Sequence, residues 1–141
     1  MNKTTSYVLL LLAFVLVIAC GKKDSETARE EWPEMDEFHM VMADSFHPFK
    51  DSANLEPAKI YAGQLAKVAE KWANAPLPEK VNNDEVKASL AQLKTDAAAF
   101  TQIVQSGDSA KIAESLTGMH DVFHKLQEAW YAGGDKEHHQ H

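Results

Sequence analysis

The chain has 141 residues, a net charge of −7 from fourteen Lys and Arg against twenty-one Asp and Glu, and a single cysteine. An acidic chain with no basic cluster excludes nucleic acid as a partner, because neutralising phosphates takes clustered Lys and Arg. One cysteine excludes an internal disulfide, a CxxC redox pair, a zinc or iron–sulfur centre built on several thiolates and a CxxCH haem attachment.

The N-terminus begins with a basic residue, Lys3, and an unbroken apolar run from Tyr7 to Ala19. A charged start, a short apolar core and small residues at its end are the marks of a secretory signal. The run is too short for a membrane span, which takes about twenty apolar residues. It ends in Val17-Ile18-Ala19-Cys20, which resembles the lipobox of a bacterial lipoprotein signal. Val17 and Ile18 stand there where Leu and Ala or Ser are usual. The resemblance implies that residues 1–19 are a signal peptide and that Cys20 receives the lipid, palmitate included. The mature chain, having lost Lys3, then keeps thirteen basic against twenty-one acidic residues, a net charge of −8. The same resemblance implies a place in the cell envelope. With Gly21 rather than Asp after the cysteine, that place is the outer membrane, facing the periplasm. Residues 20–31 are charged and lack apolar periodicity, and they read as a flexible linker from lipid to domain.

Four helices are predicted next. The first spans 33–47, opened by Pro33 with Glu34, Asp36 and Glu37 at its positive end. Met35, Phe38, Met42 and Phe46 make its apolar stripe. Pro48 disfavours helical geometry at His47 and predicts an end or kink there. The second spans 55–74, capped by Asn54, with Ala58, Tyr61, Leu65, Val68 and Trp72 as its stripe and Asn74-Ala75-Pro76-Leu77-Pro78 closing it. The third spans 84–105, capped by Asn82 or Asn83, with Glu85 placed for a capping box to Asn82. Its stripe is Val86, Leu90, Leu93, Ala97, Phe100 and Val104. Gly107 ends it, and Asp108 or Ser109 caps the fourth, over 109–131. That helix carries Ile112, Leu116, Met119, Phe123, Leu126 and Trp130, and Gly133-Gly134 stops it. No segment alternates with period two as a strand would. Four amphipathic helices on short loops bury their stripes together as an all-α, antiparallel up-down-up-down four-helix bundle over residues 32–134. Residues 135–141 form a His-rich, disordered tail.

Seven histidines are the chemical feature of the sequence. His39 and His47 lie on the first helix, and His120 and His124 lie on the fourth at i and i+4. In an antiparallel bundle these helices are neighbours, and a 1.5 Å rise per residue puts His39 and His124 at about the same height. His120 falls one turn deeper, and His47 roughly a turn beyond it. Asp36 lies one turn before His39, and Glu128 extends the row of His120 and His124. Such a His/carboxylate seam fits zinc, copper or nickel. Thioethers in the same helices favour copper. Of these, Met35, Met42 and Met119 occupy core stripes, where Met fills gaps, while Met40 is off the stripe. The expected metal site is therefore His39, His120 and His124, with His47, Asp36 or Met40 as fourth ligand, holding zinc or copper for sequestration or delivery.

Competing readings rest on the same residues. His39 falls at the edge of the core, and His120 and His124 lie well off their stripe, where surface histidines are ordinary. The tail histidines form a low-specificity metal-binding tract. A b-type haem between His39 or Met42 and His120 is an analogy to small periplasmic four-helix cytochromes, one of fold only, and the bulky stripes leave no haem slot. A di-iron site needs paired Glu-x-x-His motifs, and only Asp36-x-x-His39 approximates one. No thiol, Gly-x-Ser-x-Gly elbow or phosphate-cradling loop supports enzymatic chemistry. Gly118, inside the fourth helix, reads as a tolerated weak spot facing away from His120. The stretch from Glu31 to Ala58, with Trp32-Pro33 and Phe38-His39-Met40-Val41-Met42, is similar to small uncharacterised envelope lipoproteins. A structural lipoprotein that docks an envelope protein partner is the alternative function, and its surface would show exposed aromatics such as Trp32, Phe49 or Tyr131.

Overall fold

A computed structural model describes residues 31–134 of the chain. The signal peptide, Cys20, all but the last residue of the linker, and the tail histidines lie outside the described residues. Four helices follow one another, α1 (Pro33–Ser52), α2 (Glu56–Asn74), α3 (Asp84–Ser106) and α4 (Ser109–Gly134), with a short 3-10 turn at Glu79–Val81. Among the described residues there is no strand. Each helix packs against its neighbours in sequence, and α1 packs against α4, which closes the bundle. Among the described residues, no helix is long and apolar enough to cross a membrane.

The stripes form the core. Met35, Phe38, Met42 and Phe46 of α1 are buried, as are Ile112, Leu116, Met119, Phe123, Leu126 and Trp130 of α4. Val86, Leu90, Leu93, Ala97 and Phe100 of α3 are buried with them, whereas Val104 is only partly covered. In α2 the small residues Ala62 and Ala69 join Ala58, Leu65, Val68 and Trp72 inside, and Tyr61 is half-exposed. Val41 and Ser45 widen the buried face of α1. The Ser45 hydroxyl is satisfied by donating to the Val41 carbonyl at 2.8 Å, as burial of a polar group demands.

The helix ends follow local chemistry. Asn83 caps α3, its Oδ1 accepting the Val86 N–H at 2.9 Å. The cap is one residue too late for Glu85 to complete a capping box with Asn82. Gly107 takes the left-handed conformation (φ 71°) that ends α3, and Asp108 accepts the Lys111 N–H at 3.2 Å to open α4. The Asn54 side chain accepts the Glu56 N–H at 3.1 Å at the start of α2.

Pro48 does not end α1. The helix runs through it to Ser52. An internal proline forfeits one backbone bond, here to the Asp44 carbonyl, and typically costs about 3 kcal/mol. Asp44 is exposed, so its carbonyl lies on the side open to water. On either side of the proline, buried Phe46 and the half-buried Phe49 pack edge to face at 5.9 Å, which holds the last turn on the bundle. The helix closes beyond, with Ala53 left-handed (φ 55°) and its N–H donating to Phe49 O at 2.8 Å.

Trp32 is not an exposed aromatic. It is 1 % exposed and packs against Trp72 and Trp130 with ring centroids 5.1 and 5.4 Å apart. This tryptophan cluster plugs the end of the bundle at the start of α1. Lys80, from the 3-10 turn, lies over the Trp130 ring at 3.2 Å from its centroid. Phe49 also packs on the core, so of the three aromatics only Tyr131 is exposed.

Candidate metal site on the α1–α4 seam

The α1–α4 seam is spaced by rings. Phe38 and Phe46 of α1 meet Phe123 and His120 of α4, and of the four main helix pairings this one has the sparsest backbone contact. Large side chains at a contact hold helix axes apart, and here imidazoles stack on the rings at the outer edge of the seam.

His120 is half-buried in that edge. Its ring lies flat on Phe46, with centroids 3.7 Å apart and planes 11° from parallel. One turn on, His124 meets it edge to face at 4.4 Å. The two Nε2 atoms face each other at 3.2 Å. Residues four apart lie on one face of a helix, and the Phe46 stack fixes which way the deeper ring points. In the free protein the pair is joined by one hydrogen bond, one Nε2 donating and the other accepting. Burial pushes the His120 pKa below the ordinary histidine value. The neighbouring charge of His124 adds to the effect, Asp121 opposes it, and His47 and Lys50 of α1 reinforce it. A neutral imidazole is the form that binds metal.

The remaining expected ligands are arranged differently. His39 is exposed and stacks on Phe123 at 5.1 Å, 21° from parallel, while His124 contacts the same phenyl ring at 5.8 Å. The two imidazoles therefore share a height, and each of them packs on a phenyl ring. His47 is exposed, close enough for its charge to act on His120. Asp36 is exposed in the first turn of α1 and Met40 is 64 % exposed. Among the described residues, no three of His, Cys, Asp and Glu gather closely enough to hold a metal ion. The expected ligand set thus reduces to an assembled pair, His120 and His124, with His47 and His39 on the facing helix. Sequence reasoning missed the ring that orients the pair. Phe46 read as core, and its place on the stripe nearest α4 was the available signal.

Gly118 has nothing within 4 Å of where a Cβ would stand, which agrees with a helix position facing water. No protein-family model, curated protein or solved structure matches the chain.

Proposed function

We propose that the chain is a lipid-anchored envelope protein whose four-helix bundle binds a transition metal, zinc or copper, for sequestration or delivery. The observation that carries this reading is the 3.2 Å apposition of the His120 and His124 Nε2 atoms on the solvent edge of the α1–α4 seam. Two imidazole nitrogens held that close offer a metal two ligands without rearrangement of the helix. The N-terminal signal and Cys20 supply the anchor by their resemblance to a lipobox, and the acidic charge suits a body held off an anionic membrane. No catalytic role is assigned to the chain.

The test uses the full chain with His138, His139 and His141 replaced by alanine, so that the tail cannot bind. Zinc titration should show one site, and thermal stability should rise with zinc, since a ligand of the native state stabilises it by mass action. Absence of binding by a divalent ion, whether free or carried by a chelator that leaves positions open, or one-site binding unchanged by His124→Ala, rejects the reading.

A further inference from the structure

We infer that His120 and His124 form an open, two-point chelate for a divalent cation that brings its other ligands with it, a partly chelated Zn(II), Cu(II) or Ni(II) rather than a bare or monovalent ion. This rests on the metal-binding reading above and adds the class of ion and the state in which it arrives.

The geometry fixes the angle at the metal. With bonds of about 2.0–2.1 Å to imidazole nitrogen, two Nε2 atoms 3.2 Å apart subtend about 100–106° at a shared ion. That is the angle between adjacent ligands of a tetrahedral or square-based ion, close to the tetrahedral value and somewhat above a right angle. A linear ion between two imidazoles, the arrangement open to Cu(I), would need nitrogens about 4 Å apart on opposite sides. The pair faces the same side of one helix and cannot supply that without a change of rotamer, which the Phe46 stack opposes.

Among the described residues, the neighbourhood supplies no soft donor to reverse the preference. Met119 is fully buried in the core, as is Met42. Met40 is exposed six residues before Phe46, which places it about 9 Å away along the axis of α1. Imidazole pairs without thioether or thiolate suit borderline divalent ions.

The remaining coordination positions are open. Among the described residues no third His, Cys, Asp or Glu joins the pair. His39 is held on Phe123, and Lys50 sets a positive charge on the α1 side of His120. A bare dication meets that charge beside the two imidazoles, with Asp121 as the acidic group that acts on His120 and His47 adding to the positive side. A cation already carrying an anionic chelator arrives neutral, or nearly so, and its bound ligands fill the side facing water. Two imidazoles at adjacent positions are what such a complex lacks. An open chelate also releases its ion to a competing ligand through a mixed complex, which suits delivery and not permanent structural binding.

The probe is Cu(II)–iminodiacetate, in which three positions are already occupied. It is titrated into the full chain carrying alanine at His138, His139 and His141, with free zinc titrated in parallel. The expected result is one equivalent bound, two histidine nitrogens in the electron paramagnetic resonance signal, and a loss of affinity of at least tenfold in His124→Ala. That side chain is exposed, so the variant keeps the fold, which the helical circular dichroism signal checks. His39→Ala and His47→Ala leave the affinity unchanged. The inference is overturned if free zinc binds but the chelate does not, if a third imidazole from His39 or His47 appears in the signal, or if Cu(I) binds more tightly than Cu(II). If neither probe binds, the metal-binding reading falls as well.

Discussion

Phe46 links the core to the site, and replacing it by leucine separates the two roles. In the native seam the Phe46 and His120 rings lie 3.7 Å apart and nearly parallel. The rotamer held by that stack is the one that brings Nε2 to 3.2 Å from its partner on His124. An aromatic pair contributes about 0.5–1.5 kcal/mol beyond its buried area. Leucine keeps the position apolar and removes the stack, so His120 gains access to rotamers that do not chelate. Binding must then select the competent rotamer, which weakens affinity by about two- to twelvefold, taking 1.4 kcal/mol as tenfold. The same change shortens a side chain that is 7 % exposed and lowers stability by about 1–2 kcal/mol. Phe100→Leu is the control, since Phe100 is buried in α3, on a different helix from either histidine of the pair. It should lower stability comparably and leave zinc affinity alone. Zinc competition against a chromophoric chelator and urea unfolding read the two quantities. Wild-type affinity in Phe46→Leu, or equal weakening in Phe100→Leu, refutes the idea that the stack preorganises the pair.

Three further outcomes follow from the fold. Trp32→Ala should cost about 3–5 kcal/mol in urea unfolding, as for other buried large-to-small changes. Trp32→Phe should cost less than half of that, because it also removes an indole N–H that is buried without a hydrogen-bond partner among the described residues, a group whose desolvation costs about 1–3 kcal/mol. Gly118→Ala should raise stability by up to about 1 kcal/mol, since alanine is the better helix former and nothing stands within 4 Å of its methyl group; a fall in the urea midpoint would contradict the open face assigned to that position. The metal-free protein should lose stability as pH falls below the ordinary histidine value of 6.5, because His120 has its pKa lowered in the fold and the charged form is favoured on unfolding. The contribution is complete above that pH and diminishes as pH drops through the lowered folded value. The stability difference between wild type and His120→Gln should therefore shrink on acidification, and a difference constant with pH would remove His120 as the cause.

The stripes were legible in the sequence because helical periodicity alone selects the side that packs. Every stripe residue predicted for α4 is buried. Periodicity gives the centre of a buried face better than its width, which is why Val41, Ser45, Ala62 and Ala69 escaped it. Pro48 shows the limit of local rules. The proline does remove a backbone bond, but Phe46 and Phe49 anchor the chain on both sides of it, and tertiary packing carried the helix one turn further. Trp32 shows the same limit in reverse. Lying outside the helix, it had no stripe to join, and only the meeting of three chain segments at one end of the bundle gives it Trp72 and Trp130 as neighbours.

The same distinction explains what the sequence could say of the site. The His120–His124 pair depends on the geometry of a single helix, where i and i+4 share a face whatever the rest of the chain does. A third ligand depends on two helices meeting, and a rise per residue yields only its height. The height estimate agrees with the fold, since His39 and His124 both reach the Phe123 ring. Height leaves open the rotation of each helix about its axis and the direction of each side chain, and those decide whether two rings at one level converge on an ion or pack on a phenyl between neighbouring turns. Phe123 is buried as part of the core, so it stays where it is and keeps His39 stacked upon it. A ligand set recruited from α1 would have to break that stack, whereas the pair on α4 is assembled before any metal arrives. On the proposed metal-binding reading, preorganisation of that kind favours binding through the pair alone, with the remaining positions of the ion left to whatever brought it.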